Sequence, residues 1–145
     1  MIVREAMRPT CPVPQEATLA DVLEAIQSSG SEVVPIIGGA NGRPVVRQLV
    51  GVRDLPKLNE LAGLGQRGHA LGHTVLDLLA LLGRQPSSLP TIGPRATLVD
   101  AWGIMSEECM IHLPVIDQGE AIGMISLMVT WSEFPHRSPT AGFLA

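Results

Sequence analysis

Aromatic residues are scarce: the 145-residue chain has two Trp, two Phe and no Tyr. Basic residues are also few, 10 Lys and Arg against 14 Asp and Glu for a formal net charge of −4. With neither a basic run nor a basic stripe interleaved with aromatics, nothing in the chain tracks a phosphate backbone, and nucleic acid is not an expected partner. Cysteine occurs only twice, as Cys11 and Cys109, without a CxxC pair, which excludes a disulfide framework or a zinc ribbon. No apolar run approaches the roughly 18 residues of a membrane span. Met1-Ile2-Val3-Arg4-Glu5 carries charge where a secretory leader would be apolar, so a cytoplasmic location is expected.

Catalytic and metal-binding patterns are missing as well. His69 and His73 are four apart, but Gly68 and Gly72 argue against a helix that would align them, and no third ligand is near. Cys109 and His112, three apart, would face opposite sides of an extended strand, which separates a thiol from its base. There is no glycine-rich phosphate loop, no nucleophile elbow and no carboxylate pair. An enzyme is not expected, nor a bound metal.

What the chain does have is an internal repeat. Ala17-Thr18-Leu19-Ala20-Asp21 matches Ala96-Thr97-Leu98-Val99-Asp100 at an offset of 79 (96 − 17), and Val34-Pro35-Ile36-Ile37 matches Leu113-Pro114-Val115-Ile116 at the same offset. Two matches at one spacing mean that the stretch between them kept its length. Thr18 and Thr97 are placed to cap helices, with Asp21 and Asp100 three residues on. Leu19, Val22, Leu23 and Ile26 follow at helical spacing, as do Leu98, Ala101, Trp102 and Met105, and Ser28-Ser29-Gly30 ends the first helix.

A short apolar strand comes next in each copy, Val33–Ile37 and Ile111–Ile116, with an irregular or edge-like point at its proline. Turns at Gly38-Gly39-Ala40-Asn41-Gly42 and at Asp117-Gln118-Gly119 lead into second strands over about Val45–Val52 and Ala121–Ser126. Aligning Gly51 with Gly123 gives an offset of 72, which assigns repeat one seven extra hairpin residues; Val3-Arg4-Glu5-Ala6-Met7 and Val75-Leu76-Asp77-Leu78-Leu79 are also 72 apart. The repeats are residues 2–62 and 74–132, joined by a glycine-rich linker at 63–73, and 133–145 is a loosely ordered tail. Each reads short helix, strand, helix, strand, strand, helix, an α/β (α+β) class.

In that order these motifs resemble the CBS (cystathionine-β-synthase) domain pair, or Bateman module. The family's Val-x-Asp-x-Met, Thr-Leu-x-acid, Leu-Pro-Val and Gly-x-(Ile/Val)-(Thr/Ser)-x-x-Asp segments are echoed by Val75-Leu76-Asp77, Thr97-Leu98-Val99-Asp100, Leu113-Pro114-Val115 and Gly123-Met124-Ile125-Ser126 in repeat two. Val3-Arg4-Glu5-Ala6-Met7, Thr18-Leu19-Ala20-Asp21, Val34-Pro35-Ile36-Ile37 and Arg53-Asp54-Leu55 echo them in repeat one. The resemblance covers about residues 2–132. It implies two small mixed sheets with helices about a pseudo-twofold axis and two clefts. In many relatives these clefts hold AMP, ADP, ATP or S-adenosylmethionine as regulatory ligands, none of them obligatory cofactors.

The resemblance also implies a site chemistry in which an Asp carboxylate accepts from the ribose hydroxyls, a Thr or Ser hydroxyl meets phosphate or sugar, and apolar side chains sandwich adenine. In repeat two Ser126 takes the hydroxyl place, but Val129 stands where the Asp belongs. In repeat one two registers are open. The family's Arg-Asp-Leu makes Asp54 the ribose acceptor and leaves Gly51 in the hydroxyl place, whereas the 72-residue offset sets Asp54 opposite Ser126 and Lys57 opposite Val129. His112 lies where relatives carry a basic side chain toward phosphate, and Val34, Val13 and Ile111 would neighbour adenine. The implied function is a stand-alone sensor that binds an adenine nucleotide weakly and modulates an unidentified protein partner. The alternative is a ligand-free dimerisation or docking element. A homodimer is expected, so light scattering should give about twice the 15.4 kDa chain mass; a concentration-independent mass of one chain would refute it.

Overall fold

The computed structural model describes residues 1–39, 44–64 and 74–128. The His69/His73 pair, Val129, the tail and most of the linker and first hairpin turn lie outside these residues. Helix α1 (Val3–Ala6), strand β1 (Val13–Pro14), helix α2 (Leu19–Ser29), strands β2 (Val33–Gly38) and β3 (Val45–Gly51) and helix α3 (Leu55–Leu64) make up the first half. The second has α4 (Val75–Leu81), α5 (Leu98–Glu107), β4 (His112–Asp117) and β5 (Glu120–Ser126).

The helix starts follow from local chemistry. Thr18, Thr97 and Thr74 each accept from the backbone N–H of the Asp three residues on, and that Asp accepts in return from the threonine's own N–H, closing three capping boxes. Each threonine cap is worth about 1 kcal/mol. Of the three, the one at Thr74 has no counterpart in the sequence reading. Gly30 ends α2 in the left-handed region at φ 68°, where a side chain would be strained. Cys109 also has a positive φ, so it sits in a turn rather than on a strand, and it is exposed.

The two hairpins repeat each other in detail. Val13 pairs in parallel with Ile36, and Ile92 with Val115, both members shifted by 79 (92 − 13 and 115 − 36). The ladder slips between Ile36 and Ile37 in one and between Val115 and Ile116 in the other, just after each proline. The Pro114 carbonyl accepts from the Ile92 N–H. Its ring nitrogen lies on that same edge, away from β5, so the missing donor breaks no hairpin bond. Thr18 thus corresponds to Thr97, and Pro35 to Pro114.

Hairpin length departs from expectation. Gly38 pairs with Val45 across residues 39–44, and Asp117 with Glu120 across Gln118 and Gly119 alone, so the excess in repeat one is four residues rather than seven. The earlier count matched Gly51 to Gly123 because both are glycine, yet each is small for its own reason. A Cβ on Gly123 would lie 2.7 Å from Met7 Sδ and 2.9 Å from the Arg8 carbonyl; on Gly51 it would meet the Glu32 carbonyl at 3.0 Å and Val33 Cγ2 at 3.1 Å.

Two cores form, and each borrows a helix. Val75, Leu76, Leu78 and Leu79 of α4 pack with Val13, Ala17, Val22, Val34, Ile36, Val50 and Leu58. Val3 of α1 packs with Ile92, Leu98, Ala101, Met105, Leu113, Val115 and Ile125. Matching backbone bonds hold the exchange, Val3 N–H to Ala96 O at 2.8 Å and Val75 N–H to Ala17 O at 2.9 Å. Met105 is fully covered, whereas Trp102 stays partly exposed. No helix among the described residues is long and apolar enough to cross a membrane.

Gly123→Ala should therefore destabilise the fold by about 1–3 kcal/mol, since the Arg8 backbone cannot yield as a side chain would. Gly103→Ala, inside α5 with nothing within 4 Å of the added carbon, should stabilise it by about 0.5–1 kcal/mol. Urea unfolding of both variants checks the pair; equal midpoints would contradict the packing at Gly123.

Candidate functional site

The strand ladders decide between the two registers. Val33 pairs with Gly51, and His112 with Ser126, while Val33 and His112 are equivalent at the 79-residue offset. Gly51 therefore corresponds to Ser126, an offset of 75, and Asp54 to Val129. The alternative in which Asp54 faces Ser126 and Lys57 faces Val129 is excluded. One half of the module has the carboxylate without the hydroxyl, and the other has the hydroxyl without the carboxylate.

Asp54 ends a 3-10 turn, Val52–Asp54, between β3 and α3. Its Oδ2 accepts from the Gly51 N–H at 2.9 Å, and its Oδ1 accepts from Arg84 Nη1 at 2.6 Å. The Arg84 guanidinium also donates through Nη2 to the Leu49 carbonyl and, at 3.5 Å, to Gln48 Oε1. Both carboxylate oxygens are thus engaged, although the Arg84 and Asp54 side chains keep 35% and 24% of their surface exposed. Sequence reading missed Arg84, which lies in none of the repeated motifs; only the folded chain brings it to a carboxylate 30 residues earlier.

His112 starts β4 opposite Ser126 and is partly buried. Burial pushes its pKa below 6.5; the Glu32 carboxylate opposes that shift and the Arg53 guanidinium adds to it. Both charges belong to repeat one, and Arg53 shares the turn that carries Asp54. His112 is thus within electrostatic reach of repeat one, including the turn that carries Asp54. Glu32 and Arg53 were not among the sequence candidates; the residues at the equivalent places in repeat two, Ile111 and Met128, are uncharged and exposed. The candidate adenine neighbours divide: Val34 and Val13 are core residues with 0% and 4% exposure, and Ile111 lies on the surface at 61%.

Two of the concave surfaces among the described residues are apart from Asp54, Ser126 and His112, none of which lines either. One, of about 340 Å³, runs along β1 and α2 past Cys11, Asp21, Glu24 and Ser28. The other, of about 260 Å³, is an apolar groove between α2 and α3 formed by Leu19, Leu23, Leu55, Pro56 and Asn59. No group of three or more His, Cys, Asp or Glu is clustered among the described residues as a metal ion would require.

Residues 86–128 match the model of the CBS domain. CBSX2 from Arabidopsis thaliana, a CBS-pair protein, superposes with a TM-score of 0.59 at 25% identity, over 93% of this chain and 94% of that one. The chain has the fold of a tandem CBS pair. CBSX2 in complex with AMP gives a TM-score of 0.56 at 23% identity, covering 93% of this chain and 96% of that one. The CBS domain pair of protein MJ0100, solved with 5′-methylthioadenosine and S-adenosyl-L-methionine, gives 0.61 at 13% identity, covering 95% and 98%. Among curated proteins no significant match is found.

The His112 environment sets a pH dependence. The folded CBS pair holds this imidazole neutral more strongly than the unfolded chain does, so its contribution is complete above about pH 6.5. It is lost as the pH falls through the lower folded value, because the unfolded chain then binds the extra proton. The melting temperature should drop between about pH 7.5 and 5.5, and the drop should be smaller in His112→Gln. Equal drops in both proteins would mean that His112 titrates as in the unfolded chain.

Proposed function

We propose that this CBS pair is a regulatory module, not an enzyme, that takes an adenosyl ligand of the AMP, ADP, ATP or S-adenosylmethionine type at the position of Asp54. The observation that carries this reading is the ladder register, which sets Gly51 against Ser126 and so favours Asp54 as the residue at the family's carboxylate position. The AMP complex of CBSX2 and the S-adenosyl-L-methionine complex of the MJ0100 pair support an adenosyl ligand as the class. His112 and Arg53, at the same repeat boundary, supply basic groups near the Asp54 turn.

Binding is weak in this reading and confined to one position per chain. Gly51 brings no hydroxyl to the Asp54 half, and Val129 brings no acceptor to the Ser126 half. Loss of a charge-assisted pair costs about 1.5–3 kcal/mol, about 10- to 150-fold in affinity. Occupancy is then read by a partner protein in a homodimeric, cytoplasmic assembly.

A second reading has its own support. Val34 and Val13 are covered by the core and offer adenine no open surface, and the groove at Leu19, Leu23 and Leu55 is apolar. Both features suit a CBS pair that serves as a docking or dimerisation element without a ligand.

Calorimetry with AMP separates the two. The first reading expects one weak site per chain, abolished by Asp54→Ala and less affected by Ser126→Ala. At 100 times its dissociation constant the ligand should add about 2.7 kcal/mol to stability. Two equivalent tight sites, or full affinity in Asp54→Ala, would overturn it. No binding of AMP, ADP, ATP or S-adenosylmethionine would leave the docking reading.

A further inference from the structure

Arg84 is the only described side chain that donates to Asp54, and it does so from an unusual place. It follows α4 directly, its own N–H bonded to the Leu79 carbonyl at 2.9 Å. From there the chain runs along the open edge of β3. Gln48 Nε2 donates to the Gln85 carbonyl at 3.3 Å, Ser87 N–H to the Arg47 carbonyl at 3.0 Å and Leu89 N–H to the Val46 carbonyl at 2.9 Å. Three residues later Ile92 enters the second sheet, donating to the Pro114 carbonyl at 3.0 Å and accepting from the Ile116 N–H at 2.9 Å. The guanidinium that holds Asp54 thus anchors one end of the strap that joins repeat one to the sheet of repeat two.

We propose that Arg84 is an internal competitor for the ribose-binding carboxylate, a latch that an adenosyl ligand must open. This rests on the assignment of Asp54 as ribose acceptor given above. A ribose diol and a guanidinium edge ask the same thing of Asp54, since each presents donors to the carboxylate. With Oδ2 already accepting from the Gly51 N–H and Oδ1 from Arg84, the diol and the guanidinium compete for the acceptor capacity that the carboxylate has left. Ligand binding and release of the 84–89 strap are then linked, and the linkage is reciprocal. Whatever factor the ligand costs the Arg84 contact, removal of that contact returns to ligand affinity. The pair is partly exposed and therefore screened by water and salt, so the factor is modest.

Adenosine is the informative probe, because it has the ribose diol and no phosphate for Arg84 to attract. Calorimetry should show Arg84→Met binding adenosine about two- to tenfold more tightly than the natural chain. In the natural chain adenosine affinity should rise as sodium chloride increases from about 50 to 500 mM, while the variant should show no such rise. The salt series needs no substitution, and so it stands even where Arg84→Met melts early. Unchanged or weaker adenosine binding in Arg84→Met, with binding still lost in Asp54→Ala, would overturn the latch and leave the site assignment intact. A loss of affinity confined to AMP would make Arg84 a phosphate contact and overturn the latch as well. Failure of adenosine and AMP to bind either protein would remove the site assignment and the latch together.

Discussion

The exchange of leading helices is the constraint on which the rest of this structure depends. Neither repeat encloses its own core: α4 closes the first over Val22, Val34 and Val50, and Val3 of α1 closes the second over Leu98, Leu113 and Ile125. The paired bonds from Val3 to Ala96 and from Val75 to Ala17 hold the halves in one relation. With that relation set, His112 at the start of β4 experiences the charges of Glu32 and Arg53 from repeat one. The candidate site is a by-product of the swap, since its groups come from both repeats.

Much of the fold was legible because it is written locally. A threonine followed three residues later by an aspartate closes its own capping box whatever surrounds it, and this placed the starts of α2 and α5. The strands were visible as short apolar runs, and the ladder slips lie next to the prolines, where an irregularity was expected. Hairpin length was misjudged because a glycine was used as a landmark. Gly123 is small so that Met7 and Arg8 can approach, and Gly51 so that the Glu32 carbonyl can. Those reasons are tertiary, and a one-letter match cannot tell them apart.

Of the candidate site, the sequence offered residue types and not the connections between them. Asp54 and Ser126 were named from family spacing, and the ladder that pairs Val33 with Gly51 and His112 with Ser126 sets them at different positions of the repeat, with Gly51 opposite Ser126. Arg84 was not found, since nothing in a Gly-Arg-Gln-Pro stretch after a helix announces that its guanidinium turns back to β3. Val34 and Val13 look like adenine neighbours in a linear motif. In the folded chain the same apolar character serves the core. The two halves differ at these positions, Asp54 standing in one and Ser126 in the other.

The helix exchange also imposes an order on synthesis. The Ala96 carbonyl and the Leu113 and Ile125 side chains that cover Val3 are made some 90 to 120 residues after it. At ribosomal rates of about 5–20 residues per second this leaves the amino-terminal segment without its native neighbours for several seconds. The first core, by contrast, needs nothing beyond α4 and can close before the second sheet is made. Repeat one is thus the natural first folding unit, and docking of residues 1–8 is the step that waits for the second sheet. Contacts between such distant residues slow folding through the entropy of closing a large loop.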